Sequence, residues 1–245
     1  MPPMRFYVGT HKPTHAARLE YAFISINTLR GRKSPIPGHV VGVDSGAFQE
    51  IAQYGHYRHD PDVYAAEIDR LVGISPCIEF AVSQDWMCEP FILEKTGLSI
   101  ADHQRLTIER YDALSRLVRS VPVMPVLQGY ALADYLHHLA SYGERITHGM
   151  RVGVGSICKR NVNVGEIETI LIALRRARPD LRLHGFGIKA TSLYSGVVRD
   201  CLYSADSMAW SFAARYEGRN PNGVEEAVEF ARRIKTMPVQ NGWMF

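Results

Sequence analysis

The sequence predicts an α/β protein, a (β/α)8 TIM barrel formed by residues 1–245 as a single domain. Eight short apolar runs recur along the chain, and most are followed by a segment with helical periodicity. The chain has 245 residues, of which 46% are hydrophobic, and such barrels have about 250 residues. Repeated βα units form a parallel sheet. A doubly wound open sheet is the main alternative, and no linker, repeat or low-complexity stretch indicates a second domain.

Each predicted strand is an apolar run that stops at polar residues or glycine, as buried parallel strands do. The predicted strands are residues 4–9, 23–27, 40–44, 78–83, 121–127, 150–156, 181–187 and 201–204.

Helices are predicted where apolar residues recur at a spacing of three and four. The clearest covers residues 99–120 and opens with Ser99-Ile100-Ala101-Asp102, a capping box with Asp in place of Glu. The other predicted helices are residues 61–72, 132–142, 164–177 and 224–234.

Composition narrows the function classes. The formal net charge of +3 is compatible with a nucleic-acid partner without specifying one. The four cysteines have no CxxC spacing, which argues against a local zinc site and against a disulfide framework. His56, His59 and the adjacent His137 and His138 supply no complete ligand set, so we expect no metal. Without a signal-peptide core or a membrane-length apolar run, we expect a cytoplasmic protein.

Polar residues and glycines lie at the carboxyl ends of the predicted strands. The active site of a TIM barrel is assembled at the carboxyl ends of its strands, so these residues are expected in one pocket. Several clustered carboxylates are costly to desolvate unless they are paired or used, which favours a functional interpretation. The residues are Asp44, Ser45, Asp85, Gln128, Gly129, Gly153, Gly155, His184, Gly185 and Asp206.

The chemistry that two or three carboxylates suit is glycosyl transfer or hydrolysis. One carboxylate attacks the anomeric carbon and another handles protons on the leaving and entering groups. Gln128 and exposed backbone amides at Gly153 and Gly155 are expected to recognise a flat heterocycle by its hydrogen-bonding edge. Phe48, Met124 and Phe186 are the candidates for a stacking or apolar wall beside it.

These residues also resemble a known family. Asp44-Ser45-Gly46-Ala47-Phe48-Gln49 resembles the DSGGFQ motif of the tRNA-guanine transglycosylases, with Ala47 in place of the second glycine. Asp85, Val126-Leu127-Gln128-Gly129, Gly153-Val154-Gly155 and Asp206 follow in that family's order. The ordered set covers nearly the whole chain.

Two departures from that family change the expected polymer. The CxCxxC and histidine ligands of its zinc-binding subdomain are missing from this sequence, so zinc is not expected. Residues 153–158, 184–189 and 204–211 look closer to the DNA-guanine transglycosylases, which insert 7-deazaguanine bases into bacterial or phage DNA. The resemblance therefore favours DNA as the partner, in the cytoplasm of a bacterium or of a phage-infected host.

The resemblance implies a role for each candidate residue. Asp206 would form a covalent ester with the sugar, and Asp44 would act as general acid and base. The incoming substrate would be a free 7-deazaguanine base such as 7-cyano-7-deazaguanine, with no cofactor. The base would contact Ser45, Phe48, Asp85, Gln128, Gly129, Gly153, Gly155, His184 and Gly185. The nucleic-acid backbone would contact Lys189, Lys159, Arg160, Arg30, Arg32 and Lys33.

Two other functions stay open at this point. A tRNA-guanine transglycosylase would differ only in the polymer that it modifies. A non-catalytic barrel subunit that binds nucleic acid is the alternative of another class, although such a subunit has no use for both Asp44 and Asp206. The sequence also leaves open whether the protein acts as a homodimer or with a partner protein.

Overall fold

The protein forms one parallel sheet of nine strands in the computed structural model, which describes residues 4–157 and 163–240. The sheet order is β5-β4-β3-β2-β1-β9-β8-β7-β6. The strands are β1 (Arg5–Gly9), β2 (Tyr21–Ser25), β3 (Val40–Asp44), β4 (Ile78–Val82), β5 (Val123–Met124), β6 (Val126–Leu127), β7 (Arg151–Val154), β8 (Arg182–Gly185) and β9 (Ser204–Ser207).

The two edges of this sheet belong to one short segment of chain. β5 pairs with β4, β6 pairs with β7, and only Pro125 separates β5 from β6. Proline has no N–H group to donate to a neighbouring strand, so it divides the single strand predicted for residues 121–127. The sheet is thus a nearly closed, all-parallel barrel, compatible with a TIM-like barrel. The predicted α/β class is confirmed.

All five predicted helices are present. They are α3 (Pro61–Ile74), α5 (Ile100–Leu117), α6 (Leu132–Tyr142), α7 (Val164–Ala177) and α10 (Val224–Thr236). The sequence did not predict α1 (Ile26–Leu29), α2 (Ala47–Tyr54), α4 (Pro90–Thr96), α8 (Gly196–Cys201) and α9 (Ala209–Tyr216). These are at most eight residues long, too short to show a helical period.

Among the described residues, no helix combines the length and apolarity needed to cross a bilayer.

The capping box predicted for α5 is confirmed. The Ser99 hydroxyl oxygen accepts the Asp102 amide at 3.1 Å, and the Asp102 carboxylate accepts the Ser99 amide at 3.1 Å. Both donors would otherwise lack partners at the start of the helix.

The strand predicted for residues 201–204 is wrong. Cys201 ends α8, whose first turn is capped by the Ser195 hydroxyl accepting the Val198 amide at 3.2 Å. The strand is β9, which pairs with β1 on one side and with β8 on the other. Asp206 therefore lies within a strand rather than after one, so the pairing of β9 fixes its position.

The barrel interior is apolar and aromatic in its middle layer. This layer contains Tyr7, Phe23, Phe80, Val82, Met124 and Val126. A second, larger core lies between the strands and the helices outside them. Below the aromatic layer, Glu79 accepts hydrogen bonds from Arg5 at 2.9 Å and Arg151 at 3.0 Å. These layers fill the interior and leave the carboxyl ends of the strands as its open, polar end.

Gly42 in β3 tests how tightly the interior is packed. A Cβ atom there would lie 2.6 Å from the Phe80 ring and 2.8 Å from the Phe23 ring. We expect Gly42→Ala to lower the free energy of unfolding by about 1–3 kcal/mol, because overpacking displaces the rings. Urea denaturation measures the difference. The control is Gly73→Ala in α3, where a Cβ meets nothing within 4 Å and alanine should stabilise by about 0.5–1 kcal/mol. A Gly42→Ala protein as stable as the wild type would contradict this packing.

Candidate active site

The structure brings the three predicted aspartates together at the carboxyl end of the barrel. Asp44 ends β3, Asp85 follows β4, and Asp206 lies one residue before the end of β9. Their mutual influence is electrostatic, since the negative charges of Asp85 and Asp206 both act to raise the pKa of Asp44. The carboxyl ends of parallel strands meet at one edge of a sheet, which is why residues so distant in sequence become neighbours.

Asp44 is poised for proton transfer near neutral pH. Its pKa is raised to about 7, chiefly by burial and next by the charge of Asp85. The Gly46 amide donates to its Oδ2 at 2.9 Å, which opposes the shift by favouring the ionised form. Gly46 has φ +76°, a conformation that glycine adopts without strain. A carboxyl group with a pKa near the working pH serves well as general acid and base.

Asp85 is buried and held from two sides. The Ser45 hydroxyl donates to Oδ1 at 3.1 Å, and the Gln128 side-chain amide donates to Oδ2. Burial is the main cause that raises its pKa to about 6, while these two hydrogen bonds act to lower it. The Tyr57 hydroxyl donates to the Asp85 carbonyl at 2.9 Å. The carboxylate is therefore fixed in orientation and is ionised above about pH 6.

The orientation of Gln128 follows from its contacts. Its Nε2 donates to Asp85, and its Oε1 accepts the Ser156 hydroxyl at 2.7 Å. The backbone carbonyl of Gln128 accepts the Gln104 side-chain amide at 2.7 Å. A Cβ at position 155 would lie 2.3 Å from Gln128 Nε2, so the glycine at Gly155 makes room for this side chain.

The expectation that Gly153 and Gly155 present exposed amides is wrong. The Gly153 amide donates to the Pro125 carbonyl at 2.8 Å, and the Gly155 amide donates to Leu127 at 2.9 Å. Both belong to the ladder between neighbouring strands. These glycines instead provide space, since a Cβ at Gly153 would lie 2.4 Å from the Phe186 ring.

Asp206 is oriented by two donors that act on the same oxygen. Its Oδ1 accepts the Gly187 amide at 3.1 Å and lies 3.3 Å from His184 Nε2. His184 is fully buried, and its Nδ1 lies 2.8 Å from the Ser204 hydroxyl. Within the described part of the chain, Oδ2 of Asp206 accepts no protein donor. One oxygen is thus held by two donors, and among the described residues the other oxygen accepts none.

The positions of the protons in the hydrogen bonds between Ser204, His184 and Asp206 follow from the chemistry of these groups. Burial lowers the pKa of His184, so the imidazole is neutral near pH 7 and carries one proton. We place that proton on Nε2, where a carboxylate oxygen of Asp206 can accept it. Nδ1 then accepts from the Ser204 hydroxyl. Tyr7, Phe23, Phe80 and Phe186 surround the imidazole, with ring centroids 4.9–6.1 Å away.

The other predicted base contacts lie around this centre. Phe48, on α2, is 52% exposed, and its ring lies 6.4 Å from that of Phe91. Gly129 allows α6 to approach, because a Cβ there would lie 2.7 Å from Asp134 Cβ. A Cβ at Gly185 would lie 2.9 Å from Ile188. Phe48 is thus the member of this set with an open surface for stacking, and the two glycines permit close packing.

The predicted backbone contacts are more dispersed. Lys189 follows β8 and is exposed, as is Lys33. Arg30 is half-buried and donates to the Asn27 side chain at 3.4 Å, while Arg32 donates to the Pro35 carbonyl at 2.9 Å. Lys159 and Arg160, like Cys158, lie outside the described residues. Among the described members of this set, Lys189 and Lys33 are thus the exposed cations.

Sequence reasoning gave no role to three residues that shape the site: Tyr57, Glu89 and Ser156. The Ser156 hydroxyl oxygen accepts the Cys88 amide at 2.8 Å and lies 2.9 Å from Glu89 and 2.7 Å from Gln128. Its φ of +54° is the one positive value for a non-glycine residue in the described chain. A hydroxyl that follows two closely spaced glycines is a signal that could have identified Ser156. Tyr57 and Glu89 lie in loops that carry no comparable pattern.

No metal-binding arrangement is found in residues 4–157 and 163–240, where no three His, Cys, Asp or Glu side chains could hold an ion. His138 instead binds the backbone, and its Nδ1 accepts the Gln128 amide at 2.8 Å.

A nearly closed parallel barrel with interacting carboxylates at the carboxyl ends of its strands has the organisation of a barrel enzyme. The comparison with protein families is more specific. The family model DpdA, DeoxyPurine in DNA protein A, matches residues 3–235, and the chain belongs to this family. No curated protein matches the chain. Membership connects the chain with deoxypurine modification in DNA.

The raised pKa of Asp44 makes stability depend on pH. Because the fold favours the protonated form, this stabilisation is present at low pH and is lost as pH rises from about 4 through about 7. We expect the difference in free energy of unfolding between Asp44→Asn and wild type to grow in favour of the variant by on the order of 2–3 kcal/mol from about pH 5 to about pH 8.5. Urea denaturation at the two pH values measures the gain.

The control for this experiment is Asp200→Asn, at an exposed aspartate on α8. It should show the same pH dependence as the wild type. An Asp44→Asn protein that follows the wild-type curve would show that Asp44 is not held in its protonated form.

Proposed function

We propose that this protein exchanges guanine in DNA for a 7-deazaguanine base, such as 7-cyano-7-deazaguanine, through a covalent aspartyl-sugar intermediate. The observation that carries the proposal is the pairing of two different carboxyl groups in one site. Two donors hold Oδ1 of Asp206 while its Oδ2 accepts none from the described residues, and Asp44 has a pKa of about 7. Family membership supports DNA as the polymer.

In the first step, Asp206 Oδ2 attacks the anomeric carbon of the target deoxyguanosine. The bond between that carbon and the base nitrogen breaks, and its electron pair leaves with guanine. Protonated Asp44 supplies the proton that the departing base takes up. The hydrogen bonds from Gly187 and His184 to Oδ1 orient the nucleophile throughout.

In the second step, ionised Asp44 removes a proton from the incoming base. The base nitrogen attacks the anomeric carbon, the ester bond breaks, and Asp206 is regenerated as a carboxylate. Each step inverts the configuration, so the two together retain it, as in retaining glycosidases. Asp44 returns to its protonated form, which completes the cycle without a cofactor.

Recognition of the base rests on Asp85 and Gln128. A purine that presents N–H groups beside a carbonyl oxygen is complementary to a carboxylate beside an amide N–H. The Gln128 amide nitrogen has two hydrogens, so donation to Asp85 leaves one for the base. Phe48 supplies an exposed ring for stacking. The target nucleotide must leave the stack to reach these groups.

For the fold, we propose that β5 and β6 count as one strand interrupted at Pro125, which gives the eight strands of a (β/α)8 barrel in a single domain. The match of one family model to residues 3–235 supports this interpretation.

The site uses carboxylates and hydrogen bonds throughout, and we propose that it needs no zinc. Modification of tRNA is the alternative, and we place the reaction in the cytoplasm, where both polymers occur.

A base-exchange assay tests the proposed function. Purified protein is incubated with DNA, or with tRNA, that carries radiolabelled guanine, together with excess 7-cyano-7-deazaguanine. We expect label to be released from DNA. Asp206→Asn should reduce the rate at least about 10³-fold as a nucleophile variant, and Asp44→Asn by about 10²–10⁴-fold as an acid–base variant.

The release rate should also fall as pH rises through about 7, because Asp44 must be protonated when guanine leaves. Release from tRNA alone would transfer the proposal to that polymer. Release from neither polymer by folded wild-type protein would contradict a transglycosylase that acts alone.

His184 is proposed as a positioning residue for Asp206. His184→Phe keeps an aromatic ring but removes the donor, and we expect kcat to fall about 10- to 100-fold, the effect of losing a hydrogen bond to a charged group. KM for the free base should change little. His184→Gln, which restores an N–H donor, should recover part of the rate.

Urea denaturation of both His184 variants separates this role from a structural one. A raised KM with unchanged kcat would instead assign His184 to base binding. A loss of rate that His184→Gln does not recover would contradict positioning through a hydrogen bond.

A further inference from the structure

The helix α9 carries an exposed aromatic face. Phe212 is 72% exposed and Tyr216 is 86% exposed, one helical turn later. Met208, just before the helix, is 39% exposed. Residues four apart lie on one face of a helix, so the three side chains form one apolar strip. Soluble proteins rarely expose large contiguous apolar patches unless the surface binds something.

The opposite face of α9 fixes its orientation. Trp210 and Ala214 are buried, and the Trp210 indole N–H donates to the Gly9 carbonyl at 2.8 Å. The Ser211 hydroxyl donates to the Pro221 carbonyl at 2.8 Å. Rotation of α9 that buried the aromatic strip would break these contacts. The packing of the opposite face therefore keeps the strip exposed.

This strip borders the candidate active site. α9 begins three residues after Asp206, and Met208 lies against the carboxyl end of β1, where a Cβ at Gly9 would be 2.9 Å from Met208 Cβ. A nucleic-acid strand whose target nucleotide reaches Asp206 would therefore lie near Met208, where the strip starts.

The charge on this face suits a polyanion. Arg215 lies between Phe212 and Tyr216, is exposed, and has no ion-pair partner among the described residues. Arg219, by contrast, is paired with Glu217 and Glu226. Exposed rings that stack on bases, combined with a cation that neutralises phosphate, are the elements of single-strand binding surfaces.

We infer that this face, formed by Met208, Phe212, Arg215 and Tyr216, binds the DNA strand that carries the target nucleotide. Phe212 and Tyr216 stack on bases beside the displaced nucleotide, and Arg215 neutralises a phosphate. The two rings are about 6 Å apart along the helix axis, close to two base steps of about 3.4 Å. This inference rests on the proposed function, which brings DNA to the barrel mouth.

DNA binding without chemistry tests the inference. Asp206→Asn protein is titrated into a fluorescent single-stranded oligonucleotide with a central guanine, and into its duplex, at several salt concentrations. Adding Phe212→Ala and Tyr216→Ala should raise Kd at least about tenfold with an unchanged salt dependence. Adding Arg215→Ala should lower the slope of log K against log salt by about 0.7–0.9.

The control combines Arg116→Ala and Leu117→Ala, an exposed cation and an exposed apolar residue at the end of α5 that leads into β5. This control variant should change neither Kd nor the slope of log K against log salt. The unfolding midpoint of each variant in urea shows that it is folded. If the double aromatic variant fails to fold, the Arg215→Ala variant tests the inference instead. An unchanged slope of log K against log salt in that variant would overturn it.

The outcomes separate the inference from the proposed function. If the double variant binds DNA as tightly as its parent while wild-type protein releases guanine from DNA, the function stands and the inference is overturned. If neither wild-type nor Asp206→Asn protein binds DNA, both the proposed function and the inference are overturned. If sedimentation shows a dimer that the double variant dissociates with DNA affinity unchanged, the face is an interface between two copies, which also overturns the inference.

Discussion

The electrostatic cost of placing three carboxylates at one end of an apolar barrel is the constraint on which the rest of the site depends. Each carboxylate has its own donors: Gly46 for Asp44, Ser45 and Gln128 for Asp85, and Gly187 and His184 for Asp206. The donors differ in number, and burial raises the pKa of Asp44 to about 7 and that of Asp85 to about 6. That difference allows neighbouring carboxyl groups to perform different tasks in one reaction.

The donors reach their carboxylates because small residues stand behind them. Gln128 lies across Gly155, the Phe186 ring lies across Gly153, and the tight turn at Gly46 directs an amide at Asp44. Phe186 in turn contacts His184, with ring centroids 4.9 Å apart. Packing and electrostatics are therefore coupled, because a methyl group at Gly155 or Gly153 would displace a side chain that holds or surrounds a charged group.

Local patterns predicted much of this arrangement. Apolar runs that end at Asp44, Asp85 and Gln128 identified strands and site together, because both follow from the same change from buried to polar residues. Three features depend on pairing between distant strands and could not be derived locally. They are the division at Pro125, the use of the Gly153 amide in a ladder, and the contact of His184 with Ser204, its register partner. Tyr57 and Glu89 reach the site from loops, whose paths no periodicity records.

The pairing of the first strand with the last has a consequence for synthesis. Asp206 is the register partner of Tyr7, so the position of the proposed nucleophile is fixed only when β9 joins β1. A chain emerging from the ribosome displays Asp44 and Asp85 long before it contains His184 or Asp206. If Asp206 is the nucleophile, as proposed, the protein thus stays inert during translation, and any fragment released before β9 lacks the residue that would form the covalent bond with DNA.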